Sequence, residues 1–151
     1  MAITAGYILR VARATTGTYL MGGNGPNEWD CSGFVSHCVG APAGTRYFAT
    51  PGEGQWLASH GFRDVKDSVN FSTGAGMKKG DILVWNRPGT SGEGADGHTE
   101  IYYGNGTTIG ARGPTGNQVG IPGGFASLTS VPWQECWRPA GDVAIISWTG
   151  D

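Results

Sequence analysis

The chain has no long apolar run and few charged residues. No stretch approaches the ~20 consecutive apolar residues that cross a bilayer, and the N-terminus lacks the basic and apolar regions of a signal peptide. Only 15% of the residues are charged, and the formal net charge is -2. Lys and Arg are scattered singly, apart from the pair at 78–79. We therefore expect no membrane span and no binding to nucleic acid or to an anionic membrane.

The chain is also short of cysteine, and it has no metal-binding pattern. Cys31 and Cys38, if both are helical, lie about 10 Å apart along the axis, which is too far for a disulfide. Cys136 is distant from both in sequence. Neither Cys-x-x-Cys nor His-x-x-x-His occurs. We predict no disulfide framework, no metal site and no other cofactor.

Glycine is abundant instead, with 28 residues among 151, and the length suits one domain with a sizeable core. Helical periodicity dominates the first half and strand patterns the second, which predicts a single α+β domain over residues 1–151. We predict helices over 4–14, from 31 to a stop at Gly40, and over 54–61. Strands are expected at 82–85, 98–103, 107–111 and 118–121. A further strand is expected near 131–139, at an edge because it contains prolines, and residues 141–151 form a final strand or a tail.

Cys31 opens the predicted second helix. Asp30 is a good N-cap, and Phe34, Val35 and Cys38 repeat at helical spacing, so one face of the helix is apolar. A helix N-terminus favours the thiolate form of a cysteine. A free cysteine is more often a small buried hydrophobic residue, so position alone does not identify Cys31 as a nucleophile.

A cysteine nucleophile needs a base, which is most often histidine. His37 lies six residues after Cys31 and points roughly 120° away from it at 100° per residue. His60 lies near a predicted helix end and is expected to be structural. His98 begins a strand directly after a glycine, at the end of a long loop over 86–97 that is a candidate lid. His98 is therefore the best candidate base.

Four segments, in order, resemble the NlpC-type cell-wall peptidases, a branch of the papain-like cysteine hydrolases. Residues 17–23 resemble the tyrosine-glycine segment of that family. Residues 30–35, Asp-Cys-Ser-Gly-Phe-Val, match its nucleophile motif. Residues 79–85 resemble its Gly-Asp strand, and residues 97–106 its histidine strand and hairpin. The resemblance spans residues 17–110, with a plausible closing strand at 137–139. The related CHAP amidohydrolases are a second group of similar sequences.

The resemblance implies a papain-like NlpC fold and a site for each role. Cys31 is then the nucleophile and His98 its base. The Cys31 amide helps to form the oxyanion hole. The substrate or oxyanion site is assigned to Tyr19, Asp30 and Ser32.

The third catalytic residue departs from the family pattern. The family usually has a polar residue, often histidine, on the strand after the hairpin, and this place aligns with Gly110. Glu100 is the preferred substitute, because it lies two residues after His98 and so shares its face of the strand. Asn117, a backbone carbonyl or a water molecule are alternatives. Arg112 is a poor candidate because it would repel an imidazolium.

The resemblance also implies the substrate and the setting. The substrate is bacterial peptidoglycan, and the bond is either γ-D-glutamyl to a diamino acid or N-acetylmuramoyl to L-alanine. We expect a monomer made in the bacterial cytoplasm without a signal peptide, as phage endolysins are, that acts on the cell wall after release or delivery. A catalytic domain cut from a longer lysin fits as well.

Three other functions stay open at this stage. The first is an amidase toxin delivered to rival bacteria, which would use the same chemistry. The second is an inactive homologue that binds peptidoglycan, which the missing residue at 110 would favour. The third is an acyltransferase, because an amine or alcohol can resolve a thioester in place of water.

Overall fold

A computed structural model describes residues 3–86, 97–113, 118–121 and 128–140. Three helices come first along the chain: α1 (Ala5–Ala14), α2 (Cys31–Cys38) and α3 (Thr50–Ser59). The strands within the described ranges are β1 (Thr18–Tyr19), β2 (Glu28–Trp29), β3 (Arg63–Asp64), β4 (Ile82–Trp85), β5 (His98–Gly104), β6 (Thr107–Ile109), β7 (Ala111–Arg112), β8 (Gln118–Val119) and β9 (Glu135–Arg138). Short 3-10 turns cover Lys66–Ser68 and Leu128–Ser130.

The main sheet has five antiparallel strands in the order β3-β9-β4-β5-β6. β1 and β2 form a small parallel pair, and β7 and β8 a small antiparallel pair. In the register of β4 and β5, Trp85 lies opposite His98 and Leu83 opposite Glu100. The architecture is mixed helix and antiparallel sheet, as the sequence predicts.

β4 is the centre of the core because both of its faces are covered. Ile82 and Val84 pack with the apolar residues of α1 and α2, including Phe34. Leu83 and Trp85 point to the opposite face and pack with a second cluster that includes Trp133 and Cys136. All four residues of the strand are buried. An unbroken apolar run is therefore correct for this strand, since neither face meets water.

The first two helices agree with their predicted starts. The Thr4 hydroxyl accepts a hydrogen bond from the Tyr7 amide at the start of α1, and Asp30 caps α2. α3 begins four residues earlier than the sequence pattern predicts. Its first turn contains Pro51, which a helix accepts where backbone amides have no intrahelical partner.

Two strand predictions need correction. The predicted strand over 107–111 is divided at Gly110 into β6 and β7. β9 is not an edge strand, because it lies between β3 and β4. Pro132 and Pro139 flank β9 without entering it, so they cost the sheet no hydrogen bond. The predicted lid over 86–97 falls mostly outside the described residues, as does the predicted final strand or tail.

Within the described residues, no helix is both long and apolar enough to cross a membrane.

Candidate active site

The first turn of α2 holds Cys31 through its neighbour Asp30. One carboxylate oxygen of Asp30 accepts a hydrogen bond from the Gly33 amide at 2.7 Å, which caps the helix. The same carboxylate forms an ion pair with Arg46 at 3.0 Å. Arg46 also donates to the Ser32 hydroxyl at 2.8 Å. The side chains of Asp30 and Ser32 therefore hold the start of the helix, and Cys31 between them remains partly exposed.

Gly33 allows the preceding loop to cross directly over this turn. A Cβ atom at Gly33 would lie 2.2 Å from the carbonyl oxygen of Gly23. The Gly22 amide donates to Asp30 at 2.9 Å, and the Asp30 amide donates to Gly23 O at the same distance. The glycine segment and the nucleophile motif are thus one structural unit, in which close backbone approach requires the glycines.

His98 lies at the start of β5, where it is 4% exposed. Its Nε2 atom lies 2.6 Å from Glu100 Oε2, and it is close enough to Cys31 for that side chain to raise its pKa. The Trp133 ring stacks against the imidazole, with the centroids 6.0 Å apart. The described structure therefore brings Cys31, His98 and Glu100 together, with the imidazole in the middle.

Two further residues hold the carboxylate of Glu100. Thr108 on β6 donates a hydrogen bond to Oε1, and the Nε atom of Arg112 on β7 donates to Oε2 at 2.9 Å. A Cβ atom at Gly110 would lie 2.7 Å from the Cγ of Glu100. The Glu100 side chain thus fills the space next to Gly110, where the resemblance predicts the family's third residue.

The charges of this group support one another. Burial lowers the pKa of His98, but the negative charges of Cys31 and Glu100 and the hydrogen bonds to both raise it overall to about 10. Burial raises the pKa of Glu100, and the bond and charge of His98, followed by the charge of Arg112, lower it below its ordinary value. The arrangement favours an imidazolium at His98 beside an ionised Glu100.

The first turn of α3 forms another wall of the site. The Thr50 hydroxyl lies 3.8 Å from the Cys31 sulfur. Glu53, which is fully buried, has Oε2 at 2.8 Å from the hydroxyl of Thr99, the residue between His98 and Glu100. Burial raises the pKa of Glu53 well above its ordinary value, and the charge of Cys31 adds to the rise, while the Thr99 hydrogen bond and His98 lower it by less.

The sequence pattern does not identify several residues of this site, because it does not show which helix or strand brings their side chains to His98 and Glu100. Thr50 and Glu53 lie ahead of the predicted start of the helix, although Thr-Pro-x-Glu is itself a helix-start pattern. The sequence pattern predicts a strand through Thr108 and another around Trp133, but indicates no role for either side chain. Arg112 is a poor partner for the histidine on charge, yet it donates to Glu100 Oε2, the same oxygen that contacts His98.

The other two histidines have structural settings. His37 Nδ1 lies 2.7 Å from Ala41 O, and exposed His60 stacks on Trp56. Tyr19 is half-buried, and its ring occupies the space next to Gly113. Asn117 lies outside the described residues.

The remaining cysteines are poor nucleophiles. Cys38 and Cys136 are both buried and unpaired. Burial raises the pKa of each thiol, and at Cys136 the adjacent Asp81 raises it further. In the part of the chain that the structure describes, no cluster of His, Cys, Asp and Glu has the make-up of a metal site. A partly exposed thiol beside a buried His-Glu pair is suited to nucleophilic acyl transfer.

Known proteins of similar structure share this fold. NlpC1 and NlpC2 from Trichomonas vaginalis are each 20% identical in sequence over 89% of this chain, with TM-scores of 0.61 and 0.59. The chain spans 43% and 46% of the length of those two proteins. Tae3, from the type VI effector-immunity complex Tae3-Tai3 of Ralstonia pickettii, is 16% identical over 89% of this chain and 98% of its own, with a TM-score of 0.52. At these identities the likeness shows the fold.

Comparison of sequences gives the family. No curated protein sequence matches the chain. The family Amidase_5, described as bacteriophage peptidoglycan hydrolase, matches residues 8–121, a span that includes α2 and β5. The structural neighbours carry the NlpC-type fold that the sequence motifs predict. This chain therefore belongs to the bacteriophage peptidoglycan hydrolase family.

Proposed function

We propose that the chain hydrolyses an amide bond in the stem peptides of bacterial peptidoglycan, with Cys31 as nucleophile, His98 as acid and base, and Glu100 as the residue that orients His98. One observation carries the proposal. The buried imidazole of His98 is bonded to Glu100 at 2.6 Å and lies close enough to Cys31 for that side chain to raise its pKa. Family membership supports peptidoglycan as the substrate.

The first half of the reaction forms a thioester. The Cys31 sulfur, as a thiolate whose proton is on His98, attacks the carbonyl carbon of the amide, and the carbonyl electron pair moves to oxygen. That pair then returns to re-form the carbonyl as the C–N bond breaks, and the leaving nitrogen takes a proton from the His98 imidazolium. The products are an acyl group on Cys31, a free amine and a neutral imidazole.

The second half restores the enzyme. Neutral His98 accepts a proton from a water molecule as the water oxygen attacks the thioester carbonyl. The C–S bond breaks, a carboxylic acid is released, and sulfur leaves as a thiolate beside the imidazolium. Glu100 remains ionised throughout and fixes which nitrogen of His98 faces the thiol.

The developing oxyanion needs hydrogen-bond donors close to Cys31. We assign this role to the Cys31 amide, because the first amides of a helix have no intrahelical acceptor. Tyr19 is assigned a contact with substrate or oxyanion through its hydroxyl. The contribution of Asp30 and Ser32 is to hold the first turn of α2, since both side chains bond to Arg46.

The bond is either the γ-D-glutamyl link to a diamino acid or the amide between muramic acid and L-alanine, and the biological role is that of a phage lysin acting on the cell wall. The likeness to Tae3 shows the fold and leaves delivery to rival bacteria as an alternative. A monomer suffices for this chemistry, because the residues of the site come from one chain.

Digestion of purified peptidoglycan tests the proposal. Walls of several chemotypes are incubated with wild type, Cys31→Ala and His98→Ala, with His37→Ala as a matched control outside the site. Mass spectrometry of the new termini identifies the bond. We expect release by wild type and His37→Ala only. No release from any wall by folded wild type contradicts hydrolysis, and an active Cys31→Ala excludes Cys31 as the nucleophile.

A further inference from the structure

A second buried glutamate, Glu53, lies beside the proposed catalytic residues and has no part in the mechanism above. It is fully buried in the first turn of α3. Its Oε2 atom contacts the Thr99 hydroxyl, while Oε1 is buried without a hydrogen-bond partner among the described residues. An ionised carboxylate in such a place costs stability unless it is paired and hydrogen-bonded.

The hydrogen-bond geometry around Thr99 indicates which form of Glu53 is present. The Thr99 hydroxyl lies 2.9 Å from the carbonyl oxygen of Leu83 and 2.8 Å from Glu53 Oε2. A hydroxyl has one proton to donate, and a backbone carbonyl can only accept. Both contacts are satisfied together when Thr99 donates to Leu83 and a protonated Glu53 donates to Thr99.

The charges nearby favour the same form. Cys31 on α2 and Glu135 on β9 both oppose a negative charge at Glu53, and His98 on β5 favours one. The imidazolium of His98 already lies between the charges of Cys31 and Glu100, and Arg112 pairs with Glu100. An ionised Glu53 would therefore add an anion that has no partner of its own.

Glu53 also connects the two halves of the site. Three residues before it on the same helical turn, Thr50 contacts the Cys31 sulfur. Glu53 itself is bonded to Thr99, whose neighbours along β5 are His98 and Glu100. One turn of α3 therefore contacts both the proposed nucleophile and the strand of its base.

We propose that Glu53 is a positioning residue that works as a neutral carboxylic acid, which holds the His98 strand through Thr99 against the helix that carries Thr50 to Cys31. This inference rests on the proposed catalytic roles of Cys31 and His98. If Glu53 acts as a neutral hydrogen-bond donor to Thr99, a glutamine amide at the same position can supply the same hydrogen bond.

The protonation state can be read directly in the wild-type protein. With 13C-labelled glutamate, the carboxyl signal of Glu53 is identified by its loss in Glu53→Gln. We expect the chemical shift of a protonated acid at pH 7. An ionised signal at pH 7 overturns the neutral-acid assignment, whether or not the protein degrades peptidoglycan.

Alkylation of Cys31 by iodoacetamide tests positioning without any peptidoglycan, so a failed hydrolase proposal and a failed Glu53 proposal remain distinguishable. Glu53→Gln is expected to react within about threefold of wild type, with the same pH profile, because the amide also donates to Thr99. Glu53→Leu and Thr99→Val are each expected to react about tenfold more slowly, since each removes the buried hydrogen bond. Gln55→Leu, on the exposed side of α3, is the matched control and is expected to match wild type.

The double variant tests whether Glu53 and Thr99 act through the hydrogen bond that they share. Glu53→Leu combined with Thr99→Val is expected to react no more slowly than Thr99→Val alone, because both substitutions remove the hydrogen bond between Glu53 and Thr99. Loss in Glu53→Gln equal to that in Glu53→Leu overturns the proposal, as does wild-type reactivity in Glu53→Leu. If Glu53→Leu does not fold by circular dichroism, Thr99→Val and the carboxyl signal decide.

Discussion

Two glutamates, Glu53 and Glu100, are buried next to His98, but their hydrogen-bond and charge partners differ. Glu100 lies in a pocket formed by β5, β6 and β7, with His98, Thr108 and Arg112 bonded to it. Glu53 lies between α3 and β5 with one hydroxyl partner. The pKa of Glu100 is lowered and that of Glu53 is raised. Burial is the same for both, so the partners decide which acid is charged.

The difference assigns distinct parts to two residues of the same type. An ionised Glu100 can stabilise an imidazolium and fix its orientation, whereas a neutral Glu53 can donate a hydrogen bond without disturbing the charges at Cys31. Environments that push two carboxyl groups to opposite protonation states are typical of sites that use acid-base chemistry.

Of the substitutions that test this difference between the two glutamates, Glu100→Gln should have the largest effect on activity and stability. It removes the negative charge beside His98 and breaks the buried ion pair between Glu100 and Arg112. We expect hydrolysis to fall on the order of 100-fold or more, the scale of positioned acid-base catalysis. Unfolding free energy should fall by about 3 kcal/mol, because a buried ion pair is broken. Peptidoglycan release and urea unfolding measure the two effects.

The matched variant for that measurement is Glu53→Gln, which removes a carboxyl of equal burial. We expect its activity to stay within about threefold of wild type, since the hydrogen bond to Thr99 is kept. Equal losses in the two variants would mean that the two glutamates do not differ in charge, and the comparison would fail.

The sequence predicts the residues of this site that local motifs and spacing mark, but not the contacts between residues on different strands. Cys31, His98 and Glu100 were identified because motif order and the two-residue spacing on a strand are local properties. Gly110 was recognised as a departure, but sequence could not show that the side chain of Glu100 fills the adjacent space. That contact joins two strands, and only the register of β5 and β6 places them together.

The role of α3 was beyond the sequence pattern for a different reason. Gly52, Gly54 and Pro51 in its first turns hide the helical signal, so Thr50 and Glu53 were placed in an unassigned segment. The edge position predicted for β9 was wrong because the prolines lie outside the strand, at its two ends. The catalytic roles themselves stay predictions until the variants are measured.

Gly110→Ala should give a smaller effect that is specific to the Glu100 pocket. The added Cβ would lie 2.7 Å from the Cγ of Glu100, so the glutamate side chain must shift. We expect activity to fall about tenfold, since a misplaced orienting group weakens catalysis more than binding. Steady-state kinetics on a soluble stem peptide separate kcat from KM, and the loss is expected in kcat. Gly52→Ala, in α3 with open space around it, is the control. A Gly110→Ala enzyme as active as this control would contradict the tight contact.

The pH dependence of stability should differ in sign between the two glutamates. The folded pKa of Glu100 is depressed, so its contribution is present above the ordinary value of 4.5 and is lost as pH falls through the folded pKa. The folded pKa of Glu53 is raised, so the folded state is favoured below 4.5 and loses stability as pH rises from there.

Urea unfolding from about pH 3 to about pH 6 tests these signs, because His98 is protonated in the folded and unfolded chains over that range. Relative to wild type, Glu53→Gln should gain stability as pH rises, by at most about 1.4 kcal/mol per pH unit. The deficit of Glu100→Gln should shrink at the acid end. If the unfolding free energies of the two variants changed with pH in parallel, Glu53 and Glu100 would have the same charge in the wild-type protein.

The protonation of His98 tests the central claim most directly, because the claim is that an imidazolium lies between Cys31 and Glu100. NMR titration of the His98 ring in wild type, assigned by its loss in His98→Ala, is the measurement. We expect an imidazolium that persists through neutral pH and titrates near pH 10, with stability lost as pH rises from 6.5 through that value. A ring that is neutral at pH 7 and titrates at or below 6.5 would contradict the account.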